Sequence, residues 1–316
     1  MSDSVLAVGL DVGGTKIAGG LVALPSGEIL SKDIIMTLPQ RGGDAVLSDA
    51  WGFARRLVQE AAGKGKSVSG IGIGVAELVD PDGNVTSGQT IAWRGVPVRE
   101  RFSEIAPAMV ESDVRAAALA EALWGGGKAF RIFAYITVGT GISFALVQDG
   151  RPFPGARGNA IVLSSGPLST TCTGCGAELH QVLEEFASGP ALVARYNQRI
   201  SPKATKAQEV TEAATRNDPM AIQVVQSAGE ALGNSVGFLI NLLDPEAIIV
   251  GGGLGLAGGR YWSSFVASTR KHIWSHTTRD LPILPALLGT DAGLMGAAAT
   301  VWPAKNGTRV PIQAGF

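Results

Sequence analysis

Apolar positions along this chain recur with two different periods. Short β-branched or apolar runs at Val5–Leu10, Ile17–Leu24 and Glu28–Met36, separated by Gly13-Gly14 and Ser26-Gly27, predict three strands joined by tight turns. From Ala45 to Ala62 the spacing lengthens. Val46, Leu47, Trp51, Phe53, Ala54, Leu57, Val58 and Ala61 fall on one broad helical face. Val68–Val75 predicts a buried strand and Pro81-Asp82-Gly83-Asn84 a turn. Pro107–Glu111 leads into Ser112-Asp113, and Ala116–Trp124 is a run of strong helix formers. The second half repeats the opening, because Ile132–Val138, Gly139-Thr140-Gly141 and Ile142–Gln148 again read as strand, glycine turn, strand. Helices are predicted at about Gln181–Glu185, Ala191–Arg199, Lys206–Arg216 and Met220–Leu243. A strand at Ala247–Val250 then runs into Gly251-Gly252-Gly253, and Ala292–Trp302 forms a final small-residue helix.

Composition narrows the class. The 316 residues are 46% hydrophobic and 17% charged, a length that suggests two domains, each able to bury a core. A formal net charge of −1 with scattered basic residues lacks the basic stripe of a nucleic-acid binder. Two cysteines fit a reducing compartment rather than a disulfide scaffold. Met1-Ser2-Asp3-Ser4 carries no basic signal-peptide region. No apolar run approaches the roughly 20 residues of a spanning helix, so a cytoplasmic protein without membrane or nucleic-acid partners is expected.

The chemistry concentrates at the glycine turns. Asp11-Val12-Gly13-Gly14-Thr15-Lys16 follows a strand, and glycines without Cβ let backbone N–H groups approach an anion while the threonine adds a hydroxyl. A carboxylate repels phosphate, so Asp11 makes sense there if a Mg²⁺ mediates. The second such turn, Gly139-Thr140-Gly141, suggests that two half-molecules hold one polyphosphate.

These segments together resemble the actin-like sugar kinases, specifically the ROK group (repressor, open reading frame, kinase), over nearly the whole chain and in order. Asp11 to Lys16 resembles the first phosphate loop of that family. Val79-Asp80-Pro81 and Trp93-Arg94-Gly95-Val96-Pro97 resemble its sugar-side segments. Glu111-Ser112-Asp113, followed by Ala116 to Glu121, is similar to the stretch that carries its catalytic aspartate. Thr137 to Ile142 resembles the second phosphate loop and Val250-Gly251-Gly252-Gly253 the adenosine-side loop. The resemblance implies an α/β, two-lobed actin-like or ribonuclease H-like ATPase fold with a central cleft. One lobe would be residues 1–114 plus about 290–316, the other 115–289. It implies ATP and Mg²⁺ as cofactors, held by Asp11 (through water to the metal), Gly13, Gly14, Thr15, Lys16, Gly139, Thr140, Gly141, Gly251, Gly252 and Gly253. Asp113 would accept the proton of the attacking hydroxyl, although on residue type alone Ser112 and Asp113 also suit a helix cap. A homodimer is expected by analogy.

The chain departs from the family at its zinc motif, C-x-C-G-x-x-G-C-x-E with an upstream E-x-G-H. The cysteine positions become Cys175, Ala177 and Val182, and the upstream Glu and His become Val162 and Ser165. Zinc is therefore not expected, since a closed site needs four ligands, although Cys172, Cys175 and His180 could form a partial substitute. The same changes touch the sugar contacts, for which Glu77, Gln89, Ser112, Gly158, Ser165 and Glu184 are the candidates. Loss of a carboxylate at Val162 and gain of one at Glu77 would suit an ammonium group. The expected activity is transfer of the γ-phosphate to the 6-hydroxyl of a hexose, with an amino hexose such as kanosamine or glucosamine favoured. A glucokinase, an N-acylhexosamine kinase and a non-catalytic sugar sensor are the alternatives. Repressors of the family carry a helix-turn-helix ahead of the first phosphate loop, and only ten residues precede Asp11.

Other signals weigh less. Gly253-Leu254-Gly255-Leu256-Ala257-Gly258 fits G-x-G-x-x-G without the ribose-binding acid. Gly65-Lys66-Ser67 imitates the end of a P-loop, but Glu60 stands at its first glycine. His272 and His276 are spaced to share a helix surface.

Overall fold

A computed structural model of the chain describes residues 5–171, 176, 178–198 and 203–302. Its first sheet joins β1 (Val5–Val12), β2 (Lys16–Leu24), β3 (Glu28–Met36), β4 (Val68–Val75) and β5 (Ala108–Ser112) in the order β3-β2-β1-β4-β5. The pairs β1–β2 and β2–β3 are antiparallel, whereas β4 runs parallel to both β1 and β5. The central strands are buried on both sides, which explains why they read as unbroken apolar runs rather than as alternation.

Two helices cover opposite faces of this sheet. Leu6, Val8, Leu10 and Val12 share a core with Val46, Phe53, Ala54 and Leu57 of α1 (Gly43–Gly63). The alternate positions Ala7, Gly9 and Asp11 turn to the face covered by α9 (Ala292–Thr300). That approach is backbone to backbone. A Cβ on Gly72 would stand 1.7 Å from the carbonyl of Ala297, and one on Gly9 2.1 Å from that of Leu294. On its far side α9 meets α3 (Asp113–Trp124) just as closely, where a Cβ on Gly296 would lie 1.7 Å from the Ala116 carbonyl. The short α2 (Val98–Ser103) precedes β5.

The second sheet repeats the first. The later strands are β6 (Ile132–Val138), β7 (Ile142–Gln148), β8 (Arg151–Pro152), β9 (Pro167–Thr171), β10 (Glu178–Val182), β11 (Ala247–Gly251) and β12 (Ile283–Pro285), five of which form this sheet in the order β12-β11-β6-β7-β8. Counting from β6, this is the order of the first sheet, with parallel pairs β6–β11 and β11–β12 and antiparallel β7–β8. A separate hairpin pairs β9 with β10. The helices here are α4 (Leu183–Ala187), α5 (Gly189–Asn197), α6 (Ala207–Thr215), α7 (Pro219–Leu243) and α8 (Gly259–His272). Gly229, Gly233 and Gly237 let α7 lie directly on the backbone of α8. The contacts divide the chain into two compact units, Met1–Arg131 with Ala145–Ile161 and Thr290–Phe316, and Ile132–Phe144 with Val162–Gly289. Among the described residues no helix is long and apolar enough to cross a membrane.

Several expected elements differ. The helix expected from Gln181 begins at Leu183, because Gln181 and Val182 still pair with β9. The helix α8 went unpredicted, since half of its buried positions are the polar Ser268 and Thr269, which break the apolar period. It ends at His272, so His276 lies outside it and the two histidines share no helix surface.

Candidate active site

The strand alternation that sends Asp11 to the α9 face sets its environment. Its carboxylate lies against the first turn of α9, where a Cβ on Gly293 would be 2.5 Å from Oδ2. Asp11 is half-buried, and burial raises its pKa from 3.8 to about 6, opposed by the Lys16 ammonium. None of the described residues donates a hydrogen bond to this carboxylate. A carboxylate in that state fits a hard cation such as Mg²⁺, which takes oxygen ligands and keeps much of its water.

The turn after Asp11 is tied down by a residue that the sequence did not single out. Thr37, fully buried, donates from Oγ1 to the Gly13 carbonyl at 2.6 Å and from its N–H to the Thr15 carbonyl at 3.1 Å. Gly14 packs on Thr90, where a Cβ would stand 2.6 Å from the Thr90 methyl. Thr15 and Lys16 remain exposed. Thr90 is itself held by Glu77. One Glu77 oxygen accepts the N–H groups of Thr90 (2.5 Å) and Ile91 (2.7 Å), and the other accepts the Gln89 N–H (3.0 Å) and the Ser87 hydroxyl. Glu77 is buried, and both its oxygens serve the loop 87–91. The Gln89 side chain stays exposed.

Asp113 follows β5 as the first residue of α3. Burial raises its pKa from 3.8 to about 7, helped by the negative charges of Asp11 and Glu77 and opposed by the Val114 N–H and the Arg115 guanidinium. The Val114 N–H donates to Asp113 Oδ1 at 2.6 Å. Ser112 occupies the cap position but makes no capping bond. Its buried hydroxyl has no hydrogen-bond partner. Neither side chain therefore caps the helix in the ordinary sense of reaching an N–H further along the first turn.

Arg115 was also missed. Its side chain is only 1% exposed. It donates to the carbonyls of Val79 (2.6 Å) and Gly158 (2.7 Å), and its Nε donates to Glu111 at 2.6 Å. Gly158 has φ +79°, and a Cβ there would stand 1.8 Å from the Val79 carbonyl. Gly158 is thus a backbone packing point, buried under Val79.

The second unit builds its own glycine turn. The Gly139 N–H donates to the Gly141 carbonyl, and the Gly139 carbonyl accepts from Gly189. Glu184 accepts the Ile142 N–H at 2.7 Å, and a Cβ on Gly141 would be 2.8 Å from the same carboxylate. Gly252, with φ +81°, lies against Val138, whose carbonyl accepts from Leu254 and Gly255. The turn at 139–141 and the loop at 252–253 are therefore neighbours, with Thr140 and Gly253 exposed. Gly251 differs from its expected loop position. It ends β11 and is buried, and a Cβ on it would meet the Tyr135 hydroxyl at 2.2 Å. Ser165 is exposed in the same unit, its hydroxyl 3.4 Å from the Val162 carbonyl. Cys172, Cys175 and Ala177 lie outside the described residues. Among the described residues no cluster of three or more His, Cys, Asp or Glu could hold a metal.

The ROK family model matches residues 7–303. A glucokinase of Streptomyces coelicolor is 30% identical over 93% of this chain and 96% of its own length. A bifunctional enzyme NanE/NanK of Brucella melitensis is 31% identical over 94% of this chain and 54% of its own. Among solved structures, a ROK family glucokinase from Streptomyces griseus in complex with glucose and AMPPNP matches with a TM-score of 0.78 and 30% identity, covering 93% of this chain and 98% of that one. Two sheets of one strand order, the ordered glycine turns and these matches point the same way: the fold is that of the actin-like ATPases, and the chain belongs to the ROK family.

Proposed function

We propose that this chain is an ATP-dependent hexose kinase that moves the γ-phosphoryl group to the sugar 6-hydroxyl, with Asp113 as the base. The observation that carries the reading is Asp113 itself: a half-buried carboxylate at a strand end, its pKa raised to about 7, near a second carboxylate that has no hydrogen-bond donor. A general base works best when its pKa lies near the operating pH. Asp113 accepts the proton of the 6-hydroxyl as the new O–P bond forms and the bridging P–O bond to ADP breaks. In the first unit Gly13, Gly14, Thr15 and Lys16 are the proposed phosphate contacts, and in the second Gly139, Thr140, Gly141, Gly252 and Gly253 are the proposed nucleotide contacts. Asp11 is the residue that would hold Mg²⁺. When bound, that ion neutralises charge on the phosphates.

At the sugar, the amino-hexose preference rests on the loss of a carboxylate at Val162 and the gain of one at Glu77. Both oxygens of Glu77 are occupied by four donors, so it offers nothing to an ammonium group. Neutral hexoses therefore come first, in keeping with the similarity to glucokinases. Ser112 supplies the buried hydroxyl that lacks a partner and suits a sugar oxygen. The test is ADP release with glucose, glucosamine, kanosamine and N-acetylmannosamine. Turnover with glucose, lost in Asp113→Asn, is expected. No ADP release with any hexose, alongside calorimetric sugar binding, would favour the sensor instead.

A further inference from the structure

We propose that Arg115 is a positioning residue that sets sugar affinity by pinning two separate chain segments to the helix carrying Asp113. This rests on the kinase reading above. The first segment is the hairpin-like stretch around Val79, closed by the bridge Val79–Val85 and the Thr86 N–H bond to the Leu78 carbonyl. It starts at Glu77, whose charge reaches Asp113 and whose oxygens hold the loop at 87–91. The second is the loop at Gly158, which touches the Val79 carbonyl with no side chain in the gap.

Backbone carbonyls taken out of water need a donor, and the Arg115 guanidinium supplies one to each segment. Glu111 takes its Nε and balances its charge. Only a planar fork reaches three directions at once; an ammonium is a single point. Because Arg115 sits two residues after Asp113, the base and both segments share one rigid mount. The pinned Gly158 leaves Arg157 and Asn159 exposed on either side, polar groups whose position relative to Asp113 then depends on the clamp.

The experiment compares wild type with Arg115→Met and Arg115→Lys, measuring the KM for glucose and for ATP and amide exchange over residues 77–86 and 153–160. Misplacing a substrate contact by about 1 Å costs up to ~100-fold. The glucose KM should therefore rise about tenfold or more in Arg115→Met. It should rise less in Arg115→Lys, with the ATP KM little changed and both segments exchanging faster. An unchanged glucose KM in a folded variant, or equal rises for glucose and ATP, overturns the proposal. Should Arg115→Met fail to fold, Arg115→Lys decides by the same criteria. Should wild type show no kinase activity, the kinase reading falls first, and exchange then tests the clamp by itself: unchanged rates in both segments overturn it.

Discussion

Asp11 and Asp113 stand at the ends of two parallel strands that flank the same third strand, and the charge on Asp11 raises the proton affinity of Asp113. Asp11 lies opposite Gly74 of β4, and Ser112, just before Asp113, lies opposite Val75. Strands spaced ~4.8 Å apart put these two ends about 10 Å from each other across the sheet. Both carboxylates then belong to the edge of the sheet where ligands of open α/β folds bind.

From this pair follows a pH dependence. The raised values mean that the folded protein binds more protons than the unfolded chain from about pH 4 up to about pH 7. Stability should fall as pH rises through that window, whereas kcat/KM should rise with ionisation of the base. Asp11→Asn removes one negative charge and should make Asp113 more acidic. Thermal melts of wild type and Asp113→Asn between pH 4 and 8 check this. Identical pH profiles of the two proteins would contradict it.

Asp113→Asn should fold, with a melting temperature at pH 8 no lower than wild type, since it removes a charge from a buried site that also feels the charges of Asp11 and Glu77. Loss of a general base costs about 10²- to 10⁴-fold. More than a few percent of wild-type turnover in this variant would end the base assignment.

Glu77→Gln replaces an acceptor of four hydrogen bonds by one that accepts at a single oxygen. Donors left unsatisfied cost about 1–3 kcal/mol each, readable from urea unfolding. Activity toward glucose and glucosamine should fall together, because the loop behind Gly14 loosens for both. A loss confined to glucosamine would return Glu77 to ammonium binding.

Two glycines should respond in opposite directions. Gly72→Ala drives a methyl against the Ala297 carbonyl and should cost ~3 kcal/mol or prevent folding. Gly52 lies inside α1 with open space at its Cβ, so Gly52→Ala should stabilise by about 0.5–1 kcal/mol through helix propensity. Equilibrium denaturation separates the two.

Much of the architecture was legible because it is local. The strands at Val5–Val12, Lys16–Leu24 and Glu28–Met36 and the long α7 announce themselves through short-range periods and turn residues. The repeat of strand, glycine turn, strand near residues 11 and 139 is legible for the same reason, whereas the matching order of the two sheets came only with the fold. The five-residue β5 and the two-residue β8 carry too few positions to show a period.

By itself, the sequence determined which carboxylates and glycines follow which strands, and hence the family. Residue type and short spacing are sufficient for that. Tertiary structure alone decided how each polar group is used. Glu77 and Glu184, candidate sugar contacts by residue type, each accept backbone N–H groups, and Arg115 donates to a carbonyl 43 residues away. The physical reason is that a buried charge is assigned by the donors and acceptors that folding brings within about 3 Å. For these residues those partners lie far along the chain.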